Sequence, residues 1–188
     1  EMCIRDSTYT ADQTAADALD VGDSVTDTFV YTLSDGTATD TANLVITVTG
    51  VNDTPTAQND VGVIDEGETL TVTNGANANV SGSYDADEEH SGDLIDTSSS
   101  SHQDSDPDAS PTLRISAIQP SGGSSSSVSS GSSYNSSGTS VTGSYGTLTI
   151  GADGSYTYAA NDSISGFDAN ETLTDTFTYT LSDEHDDT

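Results

Sequence analysis

Basic residues are almost absent from this chain: 2 Lys+Arg stand against 32 Asp+Glu in 188 residues, a formal net charge of -30. A nucleic-acid binder working through a basic groove is excluded, because phosphate would repel such a surface. Attachment to an anionic leaflet through a polybasic patch is excluded for the same reason. Long apolar runs are missing too, and none approaches the roughly 20 residues of a membrane helix. Cysteine occurs once, at Cys3, so no internal disulfide can staple the fold. No Cys/His cluster suggests zinc. His90, His102 and His185 lie in acidic or Ser-rich stretches and read as solvated loop residues. Val, Leu, Ile and Phe together number only 32 of 188 residues, which at this charge is the composition of a disordered chain.

What is present argues against disorder. The apolar residues sit in short alternating runs between Gly, Asp and Asn turns, which is a strand pattern. An internal repeat is visible as well. Residues 20–35 read DVGDSVTDTFVYTLSD and residues 168–183 read DANETLTDTFTYTLSD, with ten of sixteen positions identical at an offset of 148. Upstream, Tyr9-Thr10-Ala11 aligns with Tyr158-Ala159-Ala160 after a one-residue shift. A repeat this long is a whole domain rather than one solenoid coil.

Strands are expected over 26–33, 44–49, 57–64, 69–72, 112–118, 147–150, 155–158 and 172–181, with a hint of helix over 15–19. Ser34-Asp35-Gly36 and Ala152-Asp153-Gly154 are turn signals. Many short strands with Gly/Asp turns point to an all-β fold of antiparallel sandwich repeats in tandem, with long polar loops, and the family resemblance given below implies that they are Ig/cadherin-like. Residues 1–7 hold the only Met, the only Cys and one of the two Arg, and read as a non-native leader. Residues 8–50 then form the C-terminal part of one repeat, 51–59 a short linker stiffened by Pro55, and 60–188 a second repeat lacking its last strand. The chain reads as a fragment of a longer protein. Residues 82–110 are an acidic insertion. Residues 121–140, mostly Ser and Gly, read either as a flexible linker or as a hairpin with Val128 and Tyr134 lightly packed.

A thin core under strong self-repulsion calls for a cationic partner. Calcium takes six to eight hard oxygen ligands, supplied by carboxylates and carbonyls at alternate loop positions. Candidates are Asn52-Asp53 before Pro55, Asp60 after it, Glu66 at the end of the expected 57–64 strand, and Asp85 with Asp87. Asp168 and Asn170 join them, with a counterpart in Asp20-Val21-Gly22-Asp23. Asp and Asn are also ordinary turn residues, so each motif alone reads first as a turn, and the case for a divalent ion rests on the motifs together with the charge. No EF-hand run is present.

Catalysis finds little support. No G-x-S-x-G elbow occurs, and Arg114 alone cannot form a phosphate clamp. Tyr31, Tyr145, Tyr156, Tyr158 and Tyr179 could form a sugar-binding strip, but their strand positions favour packing. The chain is therefore expected not to be an enzyme.

The strings TLTIGADGSYTYAAN (147–161), TDTFTYTLSD (174–183) and TANLVITVTGVNDTPTAQND (41–60) resemble VCBS-type repeats, related to the cadherin-like repeats of large bacterial surface and repeats-in-toxin adhesins. The resemblance implies an extracellular array exported by a type I system, rigidified by Ca²⁺ at its linkers, with roles in adhesion, aggregation or biofilm. It implies neighbouring repeats as partners, with surface glycans or other cells beyond them, no nucleic acid and no membrane insertion in this segment. Mapped by resemblance, the joint ligands are Glu66, Asp85 with Asp87, and Asn52 with Asp53. Glu88 or Glu89 is an alternative to the D-x-D pair. The expected function is a non-catalytic spacer or adhesive module. The alternative is a carbohydrate-binding accessory module of a secreted enzyme.

Overall fold

The computed structural model describes residues 7–75, 80–81, 91–95, 102–166, 171–186 and 188. The chain divides into two compact units, one of Glu1–Asp53 with Pro107–Pro111, the other of Thr54–Asp106 with Thr112–Thr188.

The first unit carries a one-turn helix, α1 (Thr14–Asp17), and a long hairpin of β1 (Ser24–Ser34) and β2 (Thr39–Thr49). The strands pair antiparallel from Ser24↔Thr49 to Ser34↔Thr39 without a register break. The turn is fixed by Asp35, whose Oδ1 accepts the N–H of Thr37 at 2.8 Å and of Ala38 at 2.7 Å. Gly36 supplies the positive φ (91°) that the turn requires. These backbone bonds, with Ala38 first, hold the Asp35 carboxyl below the usual aspartate range. At the hairpin's far end the Gly50 N–H donates to Asp23 O at 3.0 Å. A Cβ on Gly50 would strike the carbonyls of Leu19 and Asp20, so only glycine allows this approach. The expected alternation exists, yet β1 is exposed along its whole length, with Phe29 47% and Leu33 69% exposed.

The second unit is two-layered and antiparallel. Its larger sheet has the order β4 (Val80–Ser81), β3 (Thr69–Val72), β9 (Tyr156–Ala160), β8 (Gly146–Ile150), β7 (Thr139–Thr142). The smaller has the order β10 (Phe177–Ser182), β5 (Arg114–Pro120), β6 (Ser126–Ser127). The two sheets share one core: Leu70, Val72, Val141, Leu148, Ile150 and Tyr156 from the first meet Ile115, Ile118 and Leu181 from the second. The alternation of GTLTI, buried at Gly146, Leu148 and Ile150, shows the period of two expected of a strand over a core. Arg114, at the start of β5, bonds the Asp186 carboxylate.

Two expectations change. The 57–64 stretch joins no sheet among the described residues. It is bonded instead by Ser91 N–H to Val61 O (3.0 Å) and Gln58 N–H to Asp104 Oδ1 (2.8 Å), and the preceding Thr56 bridges Ser105. The 172–181 strand begins only at Phe177. The Ser/Gly-rich 121–140 stretch is not one hairpin: it contributes β6, which pairs with β5, and the first residues of β7, which pairs with β8 in the other sheet, and it buries Val128 and Ser132.

The repeat reappears in side-chain geometry. In the first unit the Tyr9 hydroxyl donates to Asp27 Oδ2 at 2.7 Å, and the Tyr9 ring meets Phe29 edge-on at 6.2 Å. In the second, Tyr158 donates to Asp175 Oδ2 at 2.7 Å and meets Phe177 edge-on at 6.2 Å. The turn recurs as well: Asp183 Oδ1 accepts the His185 N–H at 2.8 Å, two residues on, as Asp35 does from Thr37.

Candidate cation-binding site

Aspartates are buried here in a chain with almost nothing basic to meet them. Asp93, Asp104, Asp108 and Asp183 are 1–6% exposed, already more acids than the 2 Lys+Arg of the whole sequence. Arg114, the basic residue among those described, is bonded to Asp186. Burying a carboxylate costs several kcal/mol unless charge and hydrogen bonds compensate it.

Two of the four buried acids have plain backbone duties. Asp93 Oδ2 accepts the Gly75 N–H at 2.8 Å, and Asp183 forms the turn after β10. Asp104 is placed differently. Its Oδ1 accepts Gln58 N–H, and its other oxygen, Oδ2, is buried. Asp60 lies nearby, linked through Tyr179 on β10. The Tyr179 hydroxyl donates toward Gln58 O (2.6 Å) and Asp60 Oδ2 (2.8 Å). Asp60 Oδ1 is buried, as is Asp106 Oδ2 two residues beyond Asp104. Burial first, then the charges of Asp60 and Asp104 and the Asp60 hydrogen bond, pushes the Tyr179 hydroxyl well above the tyrosine range. Tyr156 is raised by burial and then by Asp60 and Asp93. Both tyrosines register a local field of negative sign.

The first unit has its own oxygen set. Asp53 N–H donates to Asp108 Oδ2 at 3.0 Å, and Asn52 Nδ2 donates to Asp53 O at 2.9 Å. Asn52 Oδ1 and Asp108 Oδ1 are buried. In the loop before β1, Asp23 N–H donates to Asp20 O at 2.9 Å.

Of the residues expected as ligands, Asn52 and Asp53 come together with Asp108, and Asp60 shares with Asp104 an effect on the Tyr179 hydroxyl. Glu66 is exposed, and its carboxylate accepts Ile164 N–H at 3.1 Å, tying the β9–β10 connection to the turn before β3. Asp85, Asp87, Asp168 and Asn170, with the alternatives Glu88 and Glu89, lie outside the described residues. The missed residues are Asp104, Asp106 and Asp108. Their signal was an Asp-Ser-Asp-Pro-Asp alternation inside the acidic insertion. Hard oxygens alone, with no sulfur or imidazole required, fit Ca²⁺ better than zinc.

No family model, curated protein or solved structure matches the chain. Among the described residues no helix is long and apolar enough to cross a membrane.

Proposed function

We propose that this chain is a non-catalytic, calcium-stabilised β-repeat module of a secreted bacterial surface protein, of the VCBS or cadherin-like kind, serving as spacer or adhesive array. The observation that carries the reading is Asp104. It is a buried carboxylate that, with Asp60, bears on the Tyr179 hydroxyl in a chain of net charge -30. A divalent ion with oxygen ligands at Asp60 and Asp104, and another at Asn52, Asp53 and Asp108, offsets the buried charge. Ions at both ends also fix the 52–60 backbone, which restricts bending of the linker. An array of such modules is loose where calcium is scarce and stiff outside the cell. Tandem sandwich repeats, extracellular placement and adhesion belong to this same reading, and the internal repeat with its recurring Tyr–Asp–Phe trio supports it.

Thermal unfolding followed by circular dichroism in EGTA, then in 10 mM CaCl₂, tests it. A site whose dissociation constant lies 100-fold below the free calcium adds about 2.7 kcal/mol. The melting temperature is expected to rise by several degrees with calcium, not with NaCl of equal ionic strength, and the rise is expected to shrink in Asp104→Asn. A calcium-indifferent melt of a folded chain would remove calcium from the account.

A further inference from the structure

One tract of this acidic chain holds no charge. Residues 115–152 contain no Asp, Glu, Lys, Arg or His, although the whole sequence carries a net charge of -30. The tract is rich in hydroxyls, and residues 121–140, within the second unit, are mostly Ser and Gly. It contains Asn135-Ser136-Ser137, an N-x-S tripeptide, the sequence form that accepts an N-linked sugar. Such tripeptides arise by chance in a chain this rich in Ser and Thr, so only geometry separates a site from a coincidence.

Asn135 stands at the corner of a tight turn. Ser133 and Ser136 close it with two bonds, each N–H donating to the other's carbonyl at 3.0 Å, which leaves Tyr134 and Asn135 between them. The turn is held at its base. Ser132 is buried and its Oγ accepts the Ala152 N–H at 3.0 Å, while Tyr134 N–H donates to Ser155 Oγ at 3.0 Å. The chain packs closely just after it as well, since a Cβ on Gly138 would come within 2.9 Å of Tyr134 O. Asn135, Ser136 and Ser137 are nevertheless all exposed. Asn135 Oδ1 accepts the Ser133 hydroxyl at 2.9 Å, which orients the side-chain amide, and Nδ2 makes no hydrogen bond among the described residues. The other N-x-S/T asparagines are placed differently. Asn52 is half-buried, and its Nδ2 donates to Asp53 O. Asn161 is exposed, but its N–H donates to Tyr145 O at 2.8 Å and its carbonyl accepts the Gly67 N–H at 3.2 Å, which ties its backbone on both sides. Asn79 and Asn170 lie outside the described residues.

We propose that Asn135 is a glycan acceptor, which the folded second unit presents to a glycosyltransferase that reads N-x-S/T. The donor is a sugar carried on a diphosphate. A bond forms between Asn135 Nδ2 and C1 of the sugar, the bond from C1 to the diphosphate oxygen breaks, and the diphosphate leaves with that electron pair. One of the two Nδ2 hydrogens departs as a proton. Oδ1 keeps its bond to Ser133, so the sugar is carried on the turn without disturbing it. A neutral sugar is bulky and solubilising. It gives the uncharged tract the hydration that carboxylates give the rest of the surface. The inference does not depend on calcium.

Incubation of the full, natively folded chain with a purified N-x-S/T-directed transferase and UDP-glucose tests it, read by peptide mapping in a mass spectrometer. A synthetic peptide of residues 132–138 in the same reaction establishes that the enzyme is working. The expected result is a hexose on Asn135 of the folded chain, with Asn52 and Asn161 bare. The hexose should be lost in Asn135→Gln and in Ser137→Ala, with melts by circular dichroism matching the wild type. Ser137→Ala leaves the acceptor amide in place, so it separates recognition of the tripeptide from reactivity of the amide. A folded chain left bare at Asn135 while the peptide is glycosylated overturns the proposal. So does modification of Asn135 only in urea, a sugar on Asn161 in preference to Asn135, or undiminished modification of Ser137→Ala.

Discussion

Asp175 shows how single acids are used in this chain. Its carboxylate accepts the N–H groups of Ser144 (2.7 Å) and Tyr145 (2.9 Å) and the hydroxyl of Tyr158. Gly143 and Gly146 make room for it, since a Cβ on the first would strike the Asp175 carboxylate and on the second the Tyr158 ring. Asp175→Ala is expected to cost about 1.5–3 kcal/mol, the range for hydrogen bonds to a charged group, and Tyr158→Phe about 1 kcal/mol. Urea unfolding of the two variants measures both, and equal small effects would show the clamp to be ornamental. The tyrosines also set an alkaline limit. Tyr156, Tyr158 and Tyr179 are all raised, chiefly by burial. Above pH about 10 the unfolded chain releases these protons while the folded chain keeps them, so stability falls as pH rises. Absorbance at 295 nm should show tyrosine ionisation delayed until unfolding. The exposed Asp35 works in the opposite sense: its carboxyl is lowered, so its contribution is present above the ordinary aspartate pKa and lost as pH falls through the lowered one.

At the scale of elements, the core strands were legible because burial there follows the side-chain period. Residues 69–72 became β3 with the bounds expected, and the Ala152-Asp153-Gly154 turn joins β8 to β9 as expected, with Gly154 at φ 83°. The 57–64 stretch misled because apolar alternation reports a face, not a partner. Its partners are Ser91 and Asp104, 30 and 46 residues away in sequence, a pairing no local pattern encodes. For the candidate site, the individual aspartates were readable, but their grouping was not. Asp60 and Asp104 are more than forty residues apart in sequence, and both act on Tyr179, a residue read as packing. The thinness of the core has a cost that can be measured. Ile115 and Ile150 are fully buried in facing sheets. Ile150→Ala is expected to destabilise by roughly 2–5 kcal/mol, a large share of a typical total of about 5–15 kcal/mol. Denaturant midpoints at unchanged m-value would show it, and a loss under 1 kcal/mol would mean the layers are loosely packed.

For the whole molecule, charge is the dominant quantity. Thirty net negative charges oppose compaction, and the few basic groups cannot answer them. In the proposed reading, divalent ions would offset that charge where it is most acute, at carboxylates removed from water. The most direct test uses Tb³⁺, a calcium surrogate whose emission is sensitised by a tyrosine close to the ion. Tyr179 is bonded to Asp60 and lies in the field of Asp104. Tyrosine excitation should give Tb³⁺ emission that calcium competes away, that falls sharply in Tyr179→Phe, and that needs more Tb³⁺ in Asp104→Asn. Emission unchanged in both variants, or insensitive to calcium, would contradict a cation site at Asp60 and Asp104.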